Sequence, residues 1–326
     1  MRINLMIEPQ EGMTYSEIVA VARRADELGF EGLYRSDHYA SVFGREGVGS
    51  TDAWATLAGL ARETERIALG TLVSPVTFRP AATLARVVAT VAEMAGTAVG
   101  QAPRVHLGMG TGWLVTEHTM FGLPFDDLGT RFRRLEEQLR IMRGLWDSNG
   151  EPFSFHGEFE RVKDAQLLPR PDPRPRLIVG GRGPVKTVRL AVRYADELNS
   201  PSATPEECWK LRGVLDDACE RDGRDPSTIT FSLMTGCLVG ATTKDFRAQV
   251  RRLETLATRY PRLADYREQL AVRGVVGTPD QAVDRIGRLA EAGVERIMLQ
   301  HLFHDDLDLL DVVAEEIVPR LETQAG

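Results

Sequence analysis

Residues 1–38 read MRINLMIEPQEGMTYSEIVAVARRADELGFEGLYRSDH. Ile3, Leu5 and Ile7 alternate through Arg2–Glu8, the period of a strand. Thr14–Leu28 carries an amphipathic helical pattern closed by Gly29, and Gly32–Ser36 is a second short apolar strand. A strand, a crossover helix and a further strand make one parallel β-α-β unit. The unit ends in Ser36-Asp37-His38, just before a glycine-rich stretch from Gly44 to Gly49. A histidine delivered by a strand end is placed for acid–base work, because its unperturbed pKa lies near neutrality. The competing reading is an ordinary surface histidine in a loop.

The same alternation runs to the end of the chain. Thr51 is expected to cap a helix running to Glu63, followed by strand Arg66–Val73, helix Arg79–Met94 and strand Arg104–Met109. Helix Gly129–Trp146, strand Arg176–Gly180 with a helix to Tyr194, strand Glu197–Ser200 and helix Pro205–Arg221 come next. Thr228–Val239 holds a strand, Lys244–Thr258 and Pro279–Ala292 are helical, Glu295–Gln300 is the last strand and Leu307–Leu321 the closing helix. About eight β-α units over 326 residues predict an α/β fold. The expected architecture is a (β/α)8 TIM barrel, one domain over 1–326, with insertions at its C-terminal mouth. Two stretches break the rhythm. Asn149–Pro175 reads as a small β-excursion closed by four prolines, and Arg259–Ala271 as a second excursion.

The chain is 43% hydrophobic and 27% charged, with a formal net charge of −7. That balance argues against nucleic acid and suits a small-molecule partner. The N-terminus enters a strand directly, with no signal peptide and no long apolar run, so a cytoplasmic protein with no membrane partner is expected. Cys208, Cys219 and Cys237 show no metal-ligand spacing. Cys208 and Cys219 lie on one predicted helix, about 16 Å apart along its axis, too far for a disulfide.

Active sites in such barrels sit at the C-terminal ends of the strands. Those ends supply Glu8, Asp37-His38-Tyr39, Leu72-Val73, Gly108 to Trp113, Gly180 to Gly183, and Gln300-His301. His38 is the candidate acid/base, with Asp37 beside it to set its tautomer or raise its pKa. Gly180-Gly181-Arg182-Gly183 follows a strand and opens a helix, an arrangement suited to an anion, with Arg182 and Lys186 adding charge; the alternative is a plain tight turn. Gly110, Thr111, Gly112 and Trp113 leave room for a flat ring on which Trp113 stacks, or form a turn with a packing tryptophan. Glu8, Tyr39, Trp113 and Gln300 are candidate substrate contacts, and Glu117 and His118 follow the loop toward the pocket. His106 reads as a core-strand residue. Asp305 and Asp306 are expected to serve the N-terminus of the last helix rather than a metal, and no metal is expected. Arg131, Arg133, Arg134 and Arg140, interleaved with Glu136 and Glu137, read as a solvated helix face.

Several segments together resemble the bacterial luciferase-like oxidoreductase superfamily, most closely its coenzyme F420-dependent branch. They are Gly70 to Pro80, Gly110-Thr111-Gly112-Trp113 with Glu117-His118 and Phe121-Gly122, Leu167 to Pro171 before Ile178 to Gly181, and Thr187 to Ala191 with Tyr194-Ala195-Asp196. The resemblance implies a deazaflavin ring in the barrel mouth and a non-proline cis peptide at Leu72-Val73 forming a bulge behind the ring. It also implies a cofactor phosphate near Gly180-Gly181, and His38 as proton donor or acceptor. It implies an oxidoreductase moving a hydride between coenzyme F420 and a small organic substrate, as a homodimer. An FMN-dependent monooxygenase on the same barrel is the alternative, and a non-catalytic flavin-binding homologue is the rival of another class; a mouth plugged by Arg259–Ala271 would favour the latter. The sugar-phosphate dehydrogenases of this branch carry a catalytic glutamate where this chain has Trp113, which puts glucose-6-phosphate chemistry in doubt. Arg161 and Lys163, with Arg182 and Lys186, are the cations toward an F420 oligoglutamate tail.

Overall fold

The computed structural model describes residues 1–96 and 101–323. The strands are β1 (Arg2–Ile7), β2 (Gly32–Arg35), β3 (Ala68–Pro75), β4 (Val105–Gly110), β5 (Phe153–His156), β6 (Arg161–Ala165), β7 (Arg176–Gly180), β8 (Glu197–Pro201), β9 (Thr230–Val239), β10 (Val275–Gly277) and β11 (Arg296–His301). Among the described residues, eight of them pair in parallel in the order β11-β1-β2-β3-β4-β7-β8-β9, and the pairing of β9 with β11 closes the barrel. β10 adds to the C-terminal half of β9 outside that ring.

Alternation along the strands divides the interior. Ile3, Leu5 and Ile7 of β1 join the large apolar layer under the helices. Met6 points inward and meets Tyr34, Leu72, Ile178 and Met298 in a compact central layer. Below that layer the floor is polar. The Arg296 guanidinium donates to Glu197 at 2.8 Å and to Glu31 at 2.9 Å, and Arg176 donates to Glu197 at 2.9 Å. His106 donates from Nε2 to the Pro103 carbonyl at 3.0 Å, which leaves Nδ1 to accept from the Tyr34 hydroxyl. Burial holds the His106 pKa well below its ordinary value, so the ring stays neutral. His106 is the core residue the pattern predicts.

Several expectations change. Asp52, not Thr51, caps the helix Ala53–Glu63, accepting from Ala55 N at 2.9 Å; the Thr51 hydroxyl instead accepts from Arg35. The stretch Arg259–Ala271 is mostly regular helix, Pro261–Arg273. It packs closely over β9, where a Cβ on Gly236 would lie 2.2 Å from the Tyr266 hydroxyl. The β5–β6 hairpin of the first excursion lies along the outer face of helix Leu128–Asp147 and reaches the loop after β3 only at its turn, where Gln138 Nε2 bonds both Glu160 and the Val76 carbonyl. The arginine row on that helix is a solvated, ion-paired face except at Arg131, which is buried against the Phe125 ring at 3.8 Å. Arg133 and Arg140 are exposed, Arg133 pairs with Glu158, and half-buried Arg134 pairs with Asp126 while lying over Phe159. Asp305 pairs with Arg252 and Asp306 accepts from Gln249, so neither caps the last helix, whose side-chain cap is missing. That helix contains a wide π turn over Val312–Ile317 just before Pro319, whose ring cannot continue the i→i−4 ladder. All three cysteines are buried and unpaired. No helix of the described residues is long and apolar enough to cross a membrane.

Burial alone would raise the Glu31 carboxyl, but the hydrogen bond and charge of Arg296 hold it below its ordinary value. That part of the stability is present at neutral pH and is lost as pH falls through the ordinary carboxylate range to the Glu31 value. Arg296→Met should cost about 3 kcal/mol, because Glu197 stays fully buried and Glu31 half-buried with fewer partners. Urea unfolding at pH 7 reads the loss, and the gap between variant and wild type should narrow toward pH 4.

Candidate active site

The C-terminal ends of β1, β2, β3, β4 and β7 meet at one rim. His38 follows β2, and 14% of its side chain is exposed. Its Nδ1 lies 2.9 and 3.1 Å from the two oxygens of Glu117, which is fully buried on the short helix Val115–Phe121. The carboxylate fixes Nδ1–H as the donor, leaving Nε2 without a protein partner among the described residues. Burial lowers the His38 pKa, but the hydrogen bond and charge of Glu117, with smaller help from Glu8 and Asp37, more than offset it, so the net shift is upward. A histidine so oriented holds or gives a proton at Nε2. The same carboxylate accepts from the Tyr39 backbone N–H at 2.9 Å.

Asp37 does not set the tautomer. It is turned away from the ring, accepting from the Ser74 hydroxyl and from Arg79 Nη1, both at 2.6 Å. Arg79 also pairs with Asp52, so Asp37 anchors the loop after β2 to the loop after β3 and keeps 1% exposure. The residue that sequence reading missed as the partner of His38 is Glu117. Its signal was present: a glutamate four residues after the Gly-Trp step, at the start of a short helix.

On β3 the register with β4 slips between Thr71 and Ser74, and Leu72 and Val73 bulge out of the ladder. The Leu72–Val73 peptide is cis. Val73 is seated on glycines: a Cβ at Gly110 or Gly180 would come within 2.6 or 2.7 Å of its methyls, and one at Gly108 within 2.3 Å of the Thr71 carbonyl. Gly112 has φ of 75°, a left-handed conformation that glycine adopts without cost, and turns the chain so that Thr111 and Trp113 follow. Trp113 is 60% exposed and meets the His38 ring edge-on, centroids 5.6 Å apart. His118 does not face the pocket; its Nδ1 donates to Leu114 O and its Nε2 accepts from Thr77. Tyr39 stacks on Phe78 at 4.6 Å and touches Phe121 at 4.9 Å, tying together the loops after β2, β3 and β4.

After β7, the Gly181 N–H is already spent on the Asn199 carbonyl at 3.2 Å. The donors left for an anion are the N–H groups of Arg182, Gly183 and the uncapped start of helix Lys186–Tyr194 apart from Thr187, whose N–H goes to the Gly183 carbonyl at 3.3 Å, with the Arg182 side chain exposed beside them. Lys186 Nζ lies 5.4 Å from the Phe132 ring centroid. Arg161 and Lys163 lie on the exposed β6 strand of the outer hairpin. On the opposite rim Glu8 accepts from Gln10 at 2.6 Å and from Gln300, and Gln300 accepts from Tyr266 at 2.7 Å. His301 faces the helix layer, buried, with neither ring nitrogen bonded; burial takes its pKa down to about 4. The described residues hold no group of three or more His, Cys, Asp or Glu side chains placed to bind a metal.

The model of the luciferase-like monooxygenase family matches residues 2–296. An F420-dependent glucose-6-phosphate dehydrogenase of Microbacterium testaceum is 31% identical, over 94% of this chain and 93% of that protein. One of Nakamurella multipartita is 30% identical, over 95% and 94%. Among solved structures, an F420-dependent secondary alcohol dehydrogenase in complex with an F420–acetone adduct superposes with a TM-score of 0.82 at 21% identity, over 98% of this chain and 99% of that one. The coenzyme F420-dependent tetrahydromethanopterin reductase of Methanopyrus kandleri gives 0.79 at 18%, over 98% and 100%. The two structures share the fold. With a family match that runs over nearly all of its length, and a barrel of the same build, this chain belongs to the luciferase-like monooxygenase family.

Proposed function

We propose that this protein is a coenzyme F420-dependent oxidoreductase that moves a hydride between the deazaflavin and a small organic molecule, with His38 as its acid/base group. The observation that carries the reading is the His38–Glu117 pair, set beside a glycine-lined bulge on a chain 31% identical, end to end, to an F420-dependent dehydrogenase. The residues present fit the cofactor. Gly108, Gly110 and Gly180 make room for the Val73 bulge, and the bulge suits a backing for a flat ring. The free N–H groups and cations after β7 suit its phosphate, and Arg182 and Lys186 continue toward an acidic tail. When bound, the deazaflavin takes the hydride that an alcohol carbon gives up, or returns it to a carbonyl.

The chain's own groups do the rest. In oxidation, His38 Nε2 receives the hydroxyl proton as the alcohol becomes a carbonyl; in reduction it returns that proton. Glu117 holds the ring in the tautomer that exposes Nε2 and stabilises the imidazolium that forms. Trp113 restricts the ring from one side, and the loops joined by Tyr39, Phe78 and Phe121 keep water from the pair.

His38→Ala should lower kcat about 10²–10⁴-fold while leaving F420 affinity nearly intact. Turnover at the wild-type level would remove His38 from the mechanism. Titration of the apoprotein with F420 and with FMN should favour F420, and tighter FMN binding would overturn the cofactor assignment.

Since Glu117 raises the His38 pKa, the rising limb of the alcohol-oxidation profile should lie above the ordinary imidazole value. Glu117→Gln removes the charge and leaves burial, so the limb should move to lower pH as kcat falls. A limb that stays in place would assign it to another group.

Gly110→Ala should push Val73 toward the ring site and weaken F420 binding by roughly tenfold, and adding Val73→Ala should recover most of the loss. Fluorescence titration of the two variants checks the coupling.

A further inference from the structure

We infer that the mouth is built for an uncharged, mainly apolar alcohol or carbonyl compound rather than a phosphorylated sugar; this rests on the hydride-transfer reading above and specifies its substrate.

The first observation is charge. Glu8 and Glu11 are buried on the rim beside His38, at 8% and 6% exposure, and neither has a cation within ion-pair distance. Glu8 is held by the amides of Gln10 and Gln300, and Glu11 by the Ser41 hydroxyl and the Val42 N–H. Most cations on that side are committed elsewhere, and the exposed Arg262 reaches the Val42 carbonyl at 3.5 Å. Arg35 donates to Ser50 and Thr51, Arg79 to Asp37 and Asp52, and Arg45 to the Glu11 carbonyl while lying against the Tyr260 ring. A phosphate dianion needs charge-assisted donors, and here it would face Glu8, Glu11 and Glu117 instead. Arg182 and Lys186, the cations beside the open N–H groups after β7, belong to the cofactor side of the rim.

The second observation is the wall opposite. Trp113, Val115, Met120 and Phe121 are all large and apolar, and all between 55% and 64% exposed, on the one loop and helix that also supply Glu117. Phe121 continues through Tyr39 to Phe78. Exposed apolar surface gathered at the rim of a functional cleft is what an apolar ligand covers.

The test compares cyclohexanol with glucose 6-phosphate on the F420-loaded enzyme. We expect kcat/KM for cyclohexanol to exceed that for glucose 6-phosphate at least roughly tenfold. Binding is read separately by tryptophan emission, titrating cyclohexanone against glucose 6-phosphate, with Trp113→Phe to assign the signal. Cyclohexanone should bind more tightly. Trp113→Glu should shrink the kcat/KM advantage of cyclohexanol by about tenfold, and Glu8→Gln should tighten glucose 6-phosphate several-fold. Equal or better turnover or binding of glucose 6-phosphate by the wild type, or no response of either ligand to these substitutions, overturns the inference. If neither compound is oxidised, the ranking of the two dissociation constants decides in the same way. Failure of F420 to bind strikes the hydride-transfer reading alone, because the cofactor-free chain still ranks the two ligands.

Discussion

Arg296 stands in the floor of the barrel with a carboxylate on either side, and the ring of strands is organised around it. Its guanidinium joins β11, on which it sits, to Glu31 before β2 and to Glu197 on β8, and Arg176 of β7 shares Glu197. A closed barrel has no second sheet to cover its inner face, so its own side chains must fill it and satisfy one another. Ionised groups in the floor are tolerable only because each has an opposite charge and further donors around it. Above them the apolar layer of Met6, Tyr34, Leu72, Ile178 and Met298 separates the floor from the mouth. The polar groups at the two ends therefore act differently: those below hold strands together, and those above are left to meet a ligand.

At the mouth one carboxylate serves two purposes. Glu117 binds the His38 ring and the Tyr39 backbone N–H, so positioning of the base and docking of the loop after β4 are a single event. Asp37 plays the complementary part. Through Ser74 and Arg79 it ties the start of the β2 loop to β3 and to the helix that Asp52 caps. His38 is thereby braced from the β4 side by its ring and from the β3 side by its neighbour. The bulge at Leu72–Val73 fits the same pattern, since glycines on both neighbouring strands leave it space.

Most of the barrel was legible because its signals are local. Alternation in β1 and the strand–glycine–helix order after β7 lie within a few residues of the elements they mark. What escaped depends on pairs distant in the chain. Glu117 is the partner of His38 across 79 positions, whereas Asp37, adjacent in sequence, turns out to be claimed by Arg79. Arg131 read as part of the solvated face of helix Leu128–Asp147 because its cover is the Phe125 ring, from the loop before the helix, which the helical period does not show. Helix Pro261–Arg273 looked irregular because its amphipathic stripe is short and its burial comes from β9, Phe43 and Leu253 rather than from the main core. His38, Gly110 to Trp113 and Gly180 to Gly183 were recognisable as rim residues from strand-end position alone. The order in which they meet was set by the topology.

Closure of the ring also fixes an order of events during synthesis. β1 takes its outer hydrogen bonds from β11, with Arg2 opposite Arg296, so the earliest strand leaves the ribosome long before its neighbour exists. Until then β1 offers an unpaired apolar edge, the kind that invites mispairing with other chains. The arrival of Arg296 supplies in one step the edge partner of β1 and the counter-charge for Glu31, joining the two ends of the chain. Nascent chains that stop short of β11 keep most of their β-α units and lack both the seam and its ionic clasp, a state for chaperones to hold rather than a smaller folded protein.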